Sequence, residues 1–135
     1  MSTVPPRPGT ASGSPFEEAF GFRRAVLAGP RVLVSGTAPI EPDGGVAEGA
    51  EAQAARCLTI IIGALRDLGA GPADVVRTRM YIVDAADADA VGRAHRRAFG
   101  EARPAATMVV VAGLLDSRWR VEIEAEAEVG ERPRL

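Results

Sequence analysis

The feature that most constrains this chain is the stretch WRVEIEAEAEV at residues 119–129, in which apolar and charged residues alternate strictly. Because the side chains of a β-strand point alternately to its two faces, the alternation predicts a strand with one apolar and one charged face. The charged face carries Arg120, Glu122, Glu124, Glu126 and Glu128. A sheet with such a strand buries its apolar face, and the charged face turns toward water or another subunit.

The remaining elements supply one covering layer for that sheet. Apolar residues recur every three or four positions from Ala54 to Leu68, which predicts an amphipathic helix over 50–68. A second helix is expected over 86–99. β-Strands are expected at 20–29, 31–40, 74–84, 106–113 and 118–129. The order β-β-α-β-α-β-β predicts an α+β fold, a two-layer sandwich with both helices on one face.

Length and local composition predict one domain. The chain has 135 residues, enough to bury a core without disulfides or metals. Residues 1–15 are rich in Pro, Gly, Ser and Thr and are expected to form a disordered N-terminal tail. The domain is expected to occupy residues 16–130.

Composition narrows the function classes. The formal net charge is −2, which argues against a nucleic-acid partner. The single cysteine, Cys57, is expected to be an inert core thiol, and no Cys/His cluster suggests a metal. No apolar run is long enough to span a membrane, and the N-terminus lacks a signal-peptide core. We therefore expect a cytoplasmic protein without metal or cofactor.

Several motifs, taken in order, resemble those of the Rid (reactive intermediate deaminase, YjgF-type) family. They are VLVSGTAPI, a helix carrying Gln53, DVVRTRMYIVD, RRAFG, RPAATMVVVAGLLD and VEIEAEA, and they span about Phe20 to Val129. The resemblance implies a fold similar to chorismate mutase and a homotrimer with small-molecule clefts between subunits. The helix-free sheet faces would then turn toward the threefold axis.

The resemblance also implies chemistry, with departures. Family members hydrolyse enamine and imine intermediates, such as 2-iminobutanoate, to 2-keto acids and ammonia. An arginine in the penultimate strand holds the substrate carboxylate in the active branch, and Ala106 stands at that position here. Phe22 and Gly92 replace the usual tyrosine and asparagine. Ser35, Gly36 and Glu122 match the family pattern. Standard 2-iminobutanoate deamination is therefore not expected.

Glu122 and His95 are the candidate catalytic residues. Crowding by neighbouring carboxylates and desolvation in a cleft would raise the pKa of Glu122 toward the range of a useful acid or base. The alternative is an ordinary solvated glutamate. His95 is the only histidine and lies on the apolar stripe of the second helix, where a lone histidine is typically a core residue.

The candidate substrate-binding residues surround Glu122 in this interpretation. Arg79 is the favoured replacement for the missing arginine, and Arg24 is a further, lower-ranked candidate. The alternative interpretation of Arg79 is ordinary cross-strand ion pairing. Ser35 and Gly36 are expected to form a tight turn whose N–H groups could bind an oxyanion. The remaining candidates are Phe22 as an apolar wall, Ala106, and Thr107 as a hydroxyl donor.

Three functions remain open from the sequence. The first is a homotrimeric enzyme that performs acid/base chemistry, namely hydrolysis, dehydration or tautomerisation, on an imine, enamine or related carbonyl intermediate. The second is a non-catalytic or regulatory trimer that binds a small molecule, as the changes at the family site suggest. The third is endoribonuclease activity, which the acidic face disfavours because carboxylates repel phosphates.

Overall fold

The computed structural model describes residues 7–130. Its strands are β1 (Gly9–Thr10), β2 (Ala25–Ala28), β3 (Arg31–Thr37), β4 (Val75–Ile82), β5 (Ala105–Val110) and β6 (Val121–Glu128). Its α-helices are α1 (Pro15–Phe20), α2 (Ala50–Asp67) and α3 (Ala88–Phe99). Short 3₁₀ turns at Pro72–Asp74 and Ala85–Asp87 precede β4 and α3.

The strands form one six-stranded mixed sheet in the order β1-β2-β3-β6-β4-β5. All neighbouring pairs are antiparallel except β4 and β5, which run parallel and are connected through α3. The last strand of the chain, β6, therefore lies between β3 and β4 near the centre. That position explains its strict alternation, because a central strand covered on one side has one buried and one open face.

The core lies between the sheet and the long helices. Val121, Ile123, Ala125 and Ala127 of β6 are at most 2% exposed. They belong to one buried cluster with the α2 stripe, which comprises Ala54, Cys57, Leu58, Ile61 and Leu65. Burial of these side chains contributes roughly 25 cal/mol per Å² of apolar surface removed from water. The predicted α+β architecture, with the long helices on one face of the sheet, is confirmed.

The opposite side of the sheet, here called the open face, is lined by side chains of two neighbouring strands. They are Arg77, Arg79 and Tyr81 of β4 and Glu122, Glu124 and Glu126 of β6. Arg77 and Arg79 lie within 4.0 Å of Glu126 and Glu124 respectively. Cross-strand pairs of opposite charge thus account for two of the carboxylates that the sequence places in a row.

The N-terminal region differs from the sequence-based expectation. The predicted first strand, 20–29, is a strand only over Ala25–Ala28, and residues 15–20 form α1. Ser14 explains the helix, because its side chain accepts a hydrogen bond from the N–H of Phe16 and Pro15 fits the first turn.

Part of the predicted tail is also structured. Thr10 pairs with Ala25, so β1 forms the outer strand of the sheet. The N–H and hydroxyl of Ser12 both bond to the carboxylate of Glu17. Local polar bonds therefore order a segment whose composition suggested disorder. Residues 1–6 of the predicted tail lie outside the described residues.

Candidate functional site

The carboxylate of Glu122 is the least compensated acidic group on the open face. Its side chain is half-buried, and within residues 7–130 it makes no hydrogen bond and no ion pair. Desolvation raises its pKa above the ordinary glutamate value, and Glu124 adds to the rise, while Arg24 opposes it. The group is thus free to exchange a proton with a bound molecule.

Gly36 makes the position of this carboxylate accessible. A Cβ atom at Gly36 would lie only 2.5 Å from Oε2 of Glu122. With a side chain at position 36 the carboxylate would have to move away, so the glycine lets it lie directly against the β3 backbone. Ser35 and Gly36 do not form the predicted tight turn. They lie inside β3, where the register with β6 shifts between Val34 and Thr37, and such bulges redirect side chains near functional sites.

Ser35 is engaged with the neighbouring strand segment. Its hydroxyl donates to the carbonyl oxygen of Arg23 at 2.6 Å, and its N–H donates to the carbonyl oxygen of Arg24 at 2.9 Å. These bonds leave the backbone N–H of Ser35 unavailable as the oxyanion donor expected from the sequence. They fix Arg24 beside Gly36 instead.

Arg24 extends across the backbone of β3 near Glu122. Its Nη2 donates to the carbonyl oxygen of Gly36 at 2.7 Å. Burial lowers the pKa of the guanidinium, and the charges of Glu17 and Glu122 oppose that shift. The residue that the sequence ranked behind Arg79 is therefore the arginine whose charge interacts with Glu122.

A cleft of about 810 Å³ opens beside this cluster. It brings together three predicted substrate-binding residues, Phe22, Ser35 and Arg79, with Glu124 and Glu17. Glu122 and Arg24 do not line the cleft. They contact Gly36, which follows the lining residue Ser35 in β3. The volume suits a small molecule.

Tyr81 and Glu124 belong to the same surface and were not among the predicted site residues. The Tyr81 hydroxyl donates a hydrogen bond to Oε1 of Glu124, which also lies 3.8 Å from Nη1 of Arg79. The bond to Glu124 raises the pKa of Tyr81. The alternation of DVVRTRMYIVD places Tyr81 on the face of Arg79. The register of β4 with β6 sets Arg79 opposite Glu124 and Tyr81 opposite Glu122, from where the Tyr81 hydroxyl reaches Glu124 diagonally.

Ala106 and Thr107 lie on the outer strand β5. The parallel register sets Ala106 beside Thr78 and Thr107 beside Arg79. Because side chains of adjacent parallel residues share a face, Thr107 belongs to the open face and Ala106 to the helix face. Within one subunit, Ala106 therefore does not meet Glu122.

His95 also lies on the helix side of the sheet. Its Nε2 is 2.8 Å from the hydroxyl of buried Thr78, and its ring packs edge-on against Phe99. Burial lowers its pKa, which favours the neutral imidazole. The sheet separates His95 from Glu122, so one subunit does not join the two predicted catalytic residues.

Other chemistries find little support in the described part of the chain. Across residues 7–130 no group of three or more His, Cys, Asp or Glu side chains could hold a metal ion. Burial raises the pKa of the Cys57 thiol to about 12, which keeps it protonated. None of the described helices is long and apolar enough to cross a membrane.

The fold and site together define a class: small α+β proteins with helices on one sheet face and a carboxylate beside a glycine on the other. A family model described as endoribonuclease L-PSP matches residues 14–129. The chain belongs to this family, also known as the YjgF, Rid or RutC family. The resemblance seen in the sequence motifs is thereby confirmed.

Relatives at the sequence level cover most of the chain. The uncharacterized protein SCO2049 of Streptomyces coelicolor is 43% identical over 120 residues, which cover 88% of this chain and 90% of that protein. The RutC family protein PYRAB12510 of Pyrococcus abyssi is 30% identical over 95 residues, or 69% of this chain and 75% of that protein.

Solved structures share the fold. Rv2704 of Mycobacterium tuberculosis, a member of the YjgF/YER057c/UK114 family, superposes with a TM-score of 0.84 at 44% identity, covering 92% of this chain and 100% of that chain. The YjgF gene product of E. coli superposes with a TM-score of 0.75 at 26% identity, covering 95% of this chain and 98% of that chain.

Proposed function

We propose that the chain forms a cytoplasmic homotrimer that binds a small molecule in clefts between subunits and performs acid/base chemistry on it. The substrate would be an imine, an enamine or a related carbonyl intermediate, and the reaction hydrolysis, dehydration or tautomerisation. Glu122 would transfer the proton. The observation that carries the proposal is the half-buried Glu122 carboxylate with no partner among residues 7–130 and a raised pKa.

The geometry around Glu122 supports proton transfer more than simple solvation. Glu124 and Glu126 are close to arginines of β4. Glu122 lies against Gly36 instead, and within the described residues no cation is in ion-pair contact with it. A carboxyl group in such an environment changes protonation closer to neutral pH. Phe22 and Ser35 would form the apolar and polar walls of the adjoining cleft.

Assembly is part of the proposal because one subunit leaves apolar surface uncovered. The outer edge of β5 has no partner strand in the described chain, and Val109 and Val110 are 41% and 56% exposed. Exposed apolar edge strands pair readily with other chains. A neighbouring subunit at this edge would also bring Ala106 and Thr107 toward a second open face.

The test is turnover of imines generated in situ from amino acids by an amino acid oxidase, with keto acid release measured against trapping by semicarbazide. Wild-type protein should accelerate hydrolysis of at least one imine in a panel of different side chains. The Glu122→Gln variant should be slower by a factor of about 100 or more, because the amide side chain cannot exchange the proton.

Glu128→Gln is the matched control, since Glu128 lies on the same strand and is exposed. It should retain the wild-type rate. A Glu122→Gln rate equal to that of wild type would remove Glu122 from the mechanism. Ligand binding without turnover of any imine would favour the non-catalytic alternative over this proposal.

The family description raises ribonuclease activity as a competing candidate. The formal net charge of −2 and the glutamates of the open face oppose binding of a polyphosphate backbone. We therefore rank it below the small-molecule function.

A further inference from the structure

The guanidinium of Arg24 has more hydrogen-bonding capacity than its surroundings use. An arginine side chain carries five N–H donors. Within the described residues Arg24 makes one side-chain hydrogen bond, from Nη2 to the carbonyl oxygen of Gly36, and its buried Nε has no acceptor. A buried donor without a partner costs free energy and is uncommon in folded proteins. The terminal N–H groups that the bond to Gly36 does not use remain available to an acceptor that a ligand would bring.

The other arginines of the open face are already close to carboxylates. Arg79 lies 3.8 Å from Glu124, and Arg77 lies 3.9 Å from Glu126. Arg24 has no carboxylate within 4.0 Å in the described chain, although the charges of Glu17 and Glu122 act on it. Arg24 can therefore accept an anion without breaking an existing ion pair.

The position of Arg24 relative to Glu122 fits a shared ligand. The guanidinium of Arg24 donates to the carbonyl oxygen of Gly36. The carboxylate of Glu122 lies where a Cβ of residue 36 would stand. A molecule bound at this glycine would meet a cation and a proton-exchanging carboxyl group together. Guanidinium groups bind carboxylates through two parallel charge-assisted hydrogen bonds, which also fix orientation.

We infer that Arg24 binds the anionic group of the ligand, a carboxylate or similarly small oxyanion, next to the Glu122 carboxyl group. This inference rests on the proposed function for the role of Glu122, but it concerns binding. It assigns to Arg24 the charge that Ala106 cannot provide, because a methyl group offers no hydrogen-bond donor. The ligand class is therefore small anionic molecules, and neutral analogues bind weakly.

Charge balance gives the inference a second consequence. A bound anion adds negative charge beside Glu122, which favours its protonated form, so binding takes up a proton and tightens as the pH falls. The charged and titratable groups whose charges act on Glu122 or Arg24 come from several elements. They are Arg24 itself, Glu17 of α1, Glu124 of β6, Tyr81 of β4 and Cys57 of α2.

The experiment measures binding of 2-oxobutanoate and of its neutral amide to the full chain by calorimetry at pH 5.5 and 8. Wild-type protein should bind the acid at least about tenfold more tightly than the amide, and more tightly at pH 5.5. Arg24→Gln should lose about tenfold or more in affinity for the acid and little for the amide. Arg24→Lys should recover part of the loss, because it keeps the charge without the paired donors.

Arg66→Gln, an exposed arginine at the end of α2, is the control for loss of one positive charge and should bind as wild type does. Three results would overturn the inference. Wild-type protein could bind acid and amide with equal affinity, or it could fail to bind the acid. Alternatively, Arg79→Gln could lower the affinity for the acid while Arg24→Gln does not. Circular dichroism of each variant checks that it is folded.

The two proposals fail separately. If imine turnover depends on Glu122 while Arg24→Gln leaves both acid affinity and KM unchanged, the inference on Arg24 fails alone. If Arg24→Gln lowers acid affinity but no imine is turned over, the anion site stands and the catalytic proposal fails.

Discussion

Among single residues, the contact between Glu122 and Gly36 matters most for the site. An unpaired carboxylate against a strand backbone is tolerated because glycine leaves the space and because part of the group still reaches water. The pKa of Glu122 is raised because this arrangement desolvates the carboxylate. This shift has a measurable consequence for stability as well as for chemistry.

Glu122→Gln should stabilise the fold at neutral pH and not in acid. The folded-state pKa of Glu122 is raised, so the folded protein holds this proton more tightly than the unfolded chain does. Its stability is therefore highest while the group is protonated in both states and falls as pH rises through the folded pKa. Removing the charge should gain on the order of 0.5 kcal/mol at pH 7.5 and nothing at pH 3.5.

Urea denaturation at one fixed protein concentration measures this difference. Glu128→Gln, at an exposed residue of the same strand, serves as the control for removing one charge from β6. An equal effect of Glu122→Gln at both pH values would mean that the charge of Glu122 is not the cause.

Gly36→Ala should disturb the site more than the fold. The new Cβ would meet the end of the Glu122 side chain, which can rotate away, and Gly36 does not require a positive φ. The free energy of unfolding should fall by about 1 kcal/mol. Turnover or ligand affinity should fall at least tenfold, because the carboxylate is displaced.

Gly63→Ala is the matched control, because Gly63 is exposed in α2 and a Cβ there meets nothing within 4 Å. It should raise stability by about 0.5–1 kcal/mol and leave the site unchanged. Full activity in Gly36→Ala would show that the Glu122 position is not restricted by this contact.

At the scale of elements, Gln53 ties the start of α2 to the segment that leads into β6. Its Nε2 donates to the carbonyl oxygens of Ala47 and Arg118 at 2.9 and 3.0 Å, and its Oε1 accepts from the N–H of Arg120 at 2.7 Å. The side chain is 2% exposed. It thereby fixes where β6 begins and hence the register that brings Glu122 to Gly36.

Gln53→Ala should lower the free energy of unfolding by about 2–4 kcal/mol, since it leaves three backbone groups in this region without their partner. Thermal and urea denaturation measure the loss. Thr59→Ala removes an exposed hydroxyl bond within the same helix and should change stability by less than about 0.5 kcal/mol. A similar small effect for Gln53→Ala would mean that the β6 register is set elsewhere.

At the scale of the whole molecule, the exposed apolar residues of β5 predict self-association. Sedimentation at micromolar concentration should give a particle of three chains of 14.1 kDa each. Val110→Asp should shift the particle toward single chains, because a charge at this edge would have to be desolvated in the interface.

Thr59→Asp, on the exposed surface of α2, controls for the added charge and should leave the trimer intact. A wild-type protein that sediments as a single chain would contradict the assembly, and the cleft would then lack its second wall.

Local sequence patterns were enough to predict the architecture and the direction in which most side chains point. Strict alternation in β6 and the three- and four-residue spacing of α2 each follow from the geometry of a single element. They predicted the element order, the helix-covered face and the glutamate face. The weaker predictions lie in residues 7–24, where one capping bond at Ser14 and the pairing of β1 outweigh a composition typical of a tail.

Which side chains meet depends on the tertiary fold. The register of β6 with β3 and β4 joins residues that are 39 or more positions apart in the chain, and no local pattern encodes it. That register brings Glu122 to Gly36 and Tyr81 to Glu124, and it separates His95 and Ala106 from Glu122 within one subunit. The burial of Arg24 likewise depends on the paths of β2 and β3, because desolvation is a property of the packed surroundings and not of the residue.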